Sequence, residues 1–162
     1  MKKKKWIILL ITVLIVILLI WSIDETPQTK ANRFIKDIQA EAITDEAAVL
    51  PCSYLKEDIK PAYIDSLFKK AKDLIMIRII DKETISFWFT WSILEPEKDC
   101  EIIYRSNDEY NLDYLIPDTD HWEIAYEENK ASSYGGGANG KGYVQMTRIK
   151  PCWFYVETYL PT

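Results

Sequence analysis

Thr84–Leu94 reads TISFWFTWSIL, the cleanest two-residue alternation in the chain. Ile85, Phe87, Phe89, Trp91 and Ile93 share one parity, and Ser86, Trp88, Thr90 and Ser92 share the other. Successive side chains of a strand point to opposite faces, so this segment predicts a strand with one apolar and one mixed face. The apolar face needs a cover.

Leu74–Ile80, just upstream, is almost continuously apolar apart from Arg78 and predicts a largely buried strand. Asp81–Glu83 then makes a turn. Downstream, Pro96 breaks Glu95–Asp99. Cys100–Ser106, His121–Glu127, Tyr143–Ile149 and Cys152–Tyr159 are rich in Ile, Tyr and Trp and read as further strands. Asn107–Asp120 is a longer acidic loop. Short polar connections suit antiparallel pairing, and no strand–helix–strand rhythm argues for a parallel sheet.

The cover comes from upstream. Asn32 can cap a helix over Arg33–Ile43, with Phe34, Ile35, Ile38 and Ala42 as its apolar stripe. Thr44 can cap a short turn through Asp45–Leu50, stopped by Pro51. Pro61 suits the first turn of a helix reaching Lys72. The expectation is an α+β domain over residues 32–162. Its short helices pack on one face of a five- to six-stranded, mainly antiparallel sheet, behind a polar linker over residues 24–31.

The first residues differ in kind. Lys2–Lys5 precede Trp6–Ile23 (WIILLITVLIVILLIWSI), where only Thr12 and Ser22 are polar. As a helix this run rises about 27 Å, close to the roughly 30 Å of a bilayer's hydrocarbon core. Trp6 and Trp21 stand near its ends, where indoles favour headgroups. The run is too long for a cleaved signal peptide and lacks a small-residue cleavage pattern. The expectation is a single-pass transmembrane signal anchor at residues 6–23. The bilayer is then a partner, residues 1–5 are cytoplasmic, and the α+β domain is extracytoplasmic at the cell membrane. The layout resembles that of pilin subunits, but the Gly before the apolar run and the Glu within it are missing, which excludes that family.

At 48% hydrophobic and 28% charged, the 162 residues are globular in composition, not disordered. Of 20 Lys+Arg, removing Lys2–Lys5 leaves 16 against 25 Asp+Glu, a net of −9. That acidity excludes a general nucleic-acid partner, which would need a basic surface.

Gly135–Gly142 (GGGANGKG) nearly matches a phosphate-binding loop, but Gly142 stands where Ser or Thr should hold magnesium, and a strand pattern follows instead of a helix. It reads as a hairpin loop, with no nucleotide expected. His121 is the only histidine and lacks a nucleophile elbow. Cys52, Cys100 and Cys152 have no metal-binding spacing, and the acidic loop lacks the calcium-loop pattern. No catalytic residue, metal or cofactor is assigned.

What remains is aromatic. Trp88, Trp153, Tyr155 and Tyr159 are the candidate binding residues, because Trp and Tyr give large contact area at low entropy cost. Cys52 and Cys152 each follow a Pro at an element boundary and are the candidate disulfide pair. The function expected is an accessory protein that engages another protein at the cell envelope by binding. The alternatives are a membrane-tethered hydrolase using His121 with nearby carboxylates, and a structural subunit of an envelope complex.

Overall fold

The structure is a computed structural model that describes residues 6, 11–13, 26–47, 49–90, 98–109, 112, 122–137 and 140–159. Thr26 opens α1 (Pro27–Ile35): its hydroxyl accepts from the Thr29 N–H at 3.3 Å, and Pro27 fills the first turn, where no N–H is needed. Two further short helices follow, α2 (Ala40–Glu46) and α3 (Ala62–Lys70). The strands are β1 (Cys52–Leu55), β2 (Leu74–Ile79), β3 (Thr84–Phe89), β4 (Lys98–Arg105), β5 (Trp122–Glu127), β6 (Lys130–Gly137), β7 (Gly140–Lys150) and β8 (Trp153–Tyr159). They form one sheet in the order β1-β2-β3-β4-β8-β7-β6-β5, antiparallel at every pairing.

The sheet has two cores on opposite faces. On the helix side, Phe34 of α1 meets Phe87 and Phe89 edge-on, with ring centroids 5.3 and 4.9 Å away. Ile64, Leu67 and Phe68 of α3 join Leu74, Ile77, Ile79, Ile85, Ile102 and Trp153 there. On the other side a smaller cluster holds Ile103, Val144, Met146, Phe154 and Val156, with Leu112 packed among them. The clusters overlap at β4 and β8, so these central strands are buried on both faces and lose the clean alternation of a half-covered strand. A bulge between Leu74 and Met76 inserts Ile75, which lets Leu74 and Ile77 both face the helices although they stand an odd number of positions apart.

Three expectations are corrected. Eight strands form where five or six were expected; β1 and β6 are the additions. β1 is a short edge strand. β6 runs through Ala131, Ser132, Ser133 and three glycines, residues with weak strand preference that the ladder to β5 and β7 holds extended. The helix expected over Arg33–Ile43 is two, α1 and α2, because the Thr26–Pro27 start moves the first helix upstream and it ends at Ile35. Among the described residues no helix is long and apolar enough to cross a membrane. The anchor over Trp6–Ile23 is therefore withdrawn, and with it the bilayer as partner and the single-pass localisation with an extracytoplasmic domain. Of that stretch only Trp6, Ile11, Thr12 and Val13 are described, all helical. Trp91 and Ile93 also lie outside the described residues.

Candidate functional site

Strand register decides which aromatic residues can act together. Trp153 and Tyr155 lie on the helix-side face opposite Tyr104 and Ile102, and both are buried. Trp153 stacks on Phe87 at 5.9 Å and tilts against Tyr104 at 5.1 Å. The Tyr155 hydroxyl donates to Glu157 Oε1 at 2.8 Å and lies 3.4 Å from Cys100 Sγ. Burial pushes both the Tyr155 phenol and the Cys100 thiol up. Trp88 pairs with Glu101 and Met76 on the opposite face, so it does not join Trp153, Tyr155 and Tyr159.

Tyr159 lies at the far end of β8, beyond the helices, and it does have aromatic company. Its Cα partner on β7 is Tyr143, with the rings stacked at 5.8 Å and 30°. Tyr143 in turn faces Tyr134 of β6, with ring centroids 6.5 Å apart. The Lys98 ammonium sits 5.9 Å above the Tyr143 ring, an attraction to the negative face of the ring system. Tyr134, Tyr143 and Tyr159 thus form a row across three neighbouring strands of the helix-side face. Tyr134 is 54% exposed. Gln145, Thr147 and Glu157 share this face and are half-buried. The result is an aromatic strip with polar neighbours on the same face.

Tyr134 and Tyr143 are the residues that sequence reasoning missed. Tyr143, Gln145 and Thr147 alternate with Val144 and Met146, which is a usable signal. Tyr134 was hidden because the glycine run beside it reads as loop. In fact Gly135–Gly137 belong to β6 and Gly140–Gly142 to β7, paired with each other.

A second polar group lies on the opposite face. Glu101 is buried, and the Ser86 hydroxyl of β3 donates to its Oε2. Trp88 is its Cα partner, and the Trp88 indole N–H is buried with no hydrogen-bond partner among the described residues. Burial pushes the Glu101 carboxyl up to about 7, with the Ser86 hydrogen bond opposing.

Cys52, Cys100 and Cys152 are all free thiols. Cys52 and Cys152 both border the helix-side core. Cys152 follows Pro151 in the β7–β8 turn and has φ 65°, a left-handed conformation uncommon outside glycine. Among the described residues no cluster of His, Cys, Asp or Glu could hold a metal ion. His121, on which the hydrolase alternative rests, lies outside the described residues. Comparisons with protein-family models, with curated proteins and with solved structures find no match for this chain.

Proposed function

We propose that this domain works by binding a protein partner on the open half of its helix-side face, with Tyr134, Tyr143 and Tyr159 at the centre of contact. The observation that carries the reading is the tyrosine row itself, three rings in register on adjacent strands outside the helix-side core. A row of rings side by side on adjacent strands suits a protein partner, since small-molecule sites are concave. Tyrosines ringed by polar groups are typical of interface centres.

The opposite face supplies an internal control. Tyr126 pairs with Ala131 and is 52% exposed, yet stands apart from the row. A photo-crosslinking amino acid placed at Tyr134 in the native cell should capture the partner, and the same replacement at Tyr126 should not. Tyr143→Ala should then weaken capture by roughly 30-fold, the scale of a 2 kcal/mol hot spot. Equal capture from both positions, or full capture by the Tyr143→Ala variant, rejects the assignment.

A further inference from the structure

A cleft of about 260 Å³ opens where α1 meets the end of α3 and the neighbouring ends of β2 and β3. Its walls carry Lys30 and Arg33 from α1, Lys70 from the end of α3, and Lys72 from the link to β2. Phe34 and Phe89, packed edge-to-face at 4.9 Å, form its apolar base. One carboxylate, Asp73, shares the lining. Four cations around one cavity run against the acidity of the domain as a whole.

The local sequence explains the convergence. Lys30, Arg33 and Phe34 lie three and four positions apart on one helix, so they share a face. Lys70 has a second reason for its place: it stands in the last turn of α3, where a cation complements the helix dipole, and it bonds Asp37 at 3.2 Å. No such account covers Lys30 and Lys72. Neither forms an ion pair among the described residues, although both line the same cavity.

We propose that this cleft binds a small organic phosphate, a phosphate monoester whose ester group rests against Phe34 and Phe89. At pH 7 such a phosphate carries a charge of about −1.5 to −2, which the ammonium groups of Lys30 and Lys72 match. The volume agrees: a cavity of roughly 150 Å³ accommodates a benzene-sized ring, which leaves room for the phosphate. Asp73 selects against an extended polyanion, whose further charges would meet it. The site uses different elements from the tyrosine row, so either assignment can fail without the other.

The test is a titration of the full chain with phenyl phosphate in low salt, followed through backbone amide signals. Saturable shifts should cluster at residues 30–34 and 71–73. The K30Q/K72Q variant should bind at least tenfold more weakly, K30R/K72R should retain binding, and K69Q, altered outside the cleft, should bind as the wild type does. Benzoate should bind several-fold more weakly, and benzyl alcohol should leave the signals unmoved. Inorganic phosphate should displace phenyl phosphate from the same residues. Shifts elsewhere, unchanged affinity in K30Q/K72Q, or equal affinity for benzoate overturns the proposal. So does binding to phosphatidic acid vesicles with no response to phenyl phosphate, which would make the patch a lipid-surface contact.

Discussion

Replacing Glu101 by Gln should remove a specific part of the protein's pH dependence. The carboxyl lies on the central strand β4, buried, with the Ser86 hydroxyl donating to it. Burial raises it from 4.5 to about 7, and the Ser86 hydrogen bond and Arg78 only partly offset this, while Asp99 adds to the rise. In the unfolded chain the carboxyl ionises near its ordinary value. Between about pH 4.5 and pH 7 the folded state therefore holds more protons than the unfolded state, so stability falls as pH rises through this window. At about 1.4 kcal/mol per pH unit, the gap corresponds to a loss of about 3 kcal/mol, complete once the pH exceeds the folded value. The Glu41 and Asp108 carboxyls are held below their ordinary values, so their contributions disappear only at lower pH and with opposite sign. Urea unfolding at pH 5 and pH 8 measures the effect. The wild type should be less stable at pH 8 by about 3 kcal/mol relative to the change in Glu101→Gln, whose amide keeps an acceptor for Ser86 and does not ionise. Parallel pH profiles for the two proteins would refute the reasoning, and so would a wild type that gains stability across this window.

Trp153→Ala should cost roughly 3–5 kcal/mol of stability, because it empties a buried site between Phe87 and Tyr104; a denaturant midpoint near that of the wild type would contradict the core assignment. Asp108→Asn should cost about 1 kcal/mol, a figure already discounted for the partial exposure of its pair with Arg148. The Asp108 carboxylate also accepts the Cys152 N–H at 2.7 Å, which tethers the segment after β4 to the β7–β8 turn, and Asn preserves the left-handed backbone at φ 52°. The Cys152 N–H and Arg148 lower its pKa, so its contribution is complete above about pH 4 and is lost as the pH falls; thermal melts of the two proteins should lie closer together at pH 3 than at pH 6.

Much of the sheet was readable because its strands carry strong local signals. Ile85, Phe87 and Phe89 alternate with Ser86 and Trp88, and that alternation alone selects the face that meets Phe34. Two strands were unreadable for opposite reasons. β1 is too short to show a period, and β6 is built mostly from Ala, Ser and Gly, whose strand conformation comes from β5 and β7 on either side rather than from preference. The cationic cleft was equally hidden. Lys30 and Arg33 look like ordinary solvated helix positions, and only tertiary packing sets Lys72 beside them.

Parity along a strand says which residues share a face, but it says nothing about how far the cover extends. Trp153, Tyr155 and Tyr159 have the same parity on β8, yet Trp153 is enclosed under the helices and Tyr159 is not. α1, α2 and α3 are short, while the sheet is eight strands wide, so among the described residues the helix layer ends partway across it. The other core, around Leu112, lies on the opposite face and is displaced toward β6 and β7. This offset buries β4 and β8 twice, while among the described residues the helix-side core takes only Ile149 from β7 and nothing from β6. An aromatic residue falling there is not part of a core, whatever its sequence pattern. The tyrosine row exists because Tyr134, Tyr143 and Tyr159 fall on the helix-side parity of β6, β7 and β8 at positions outside the helix-side core.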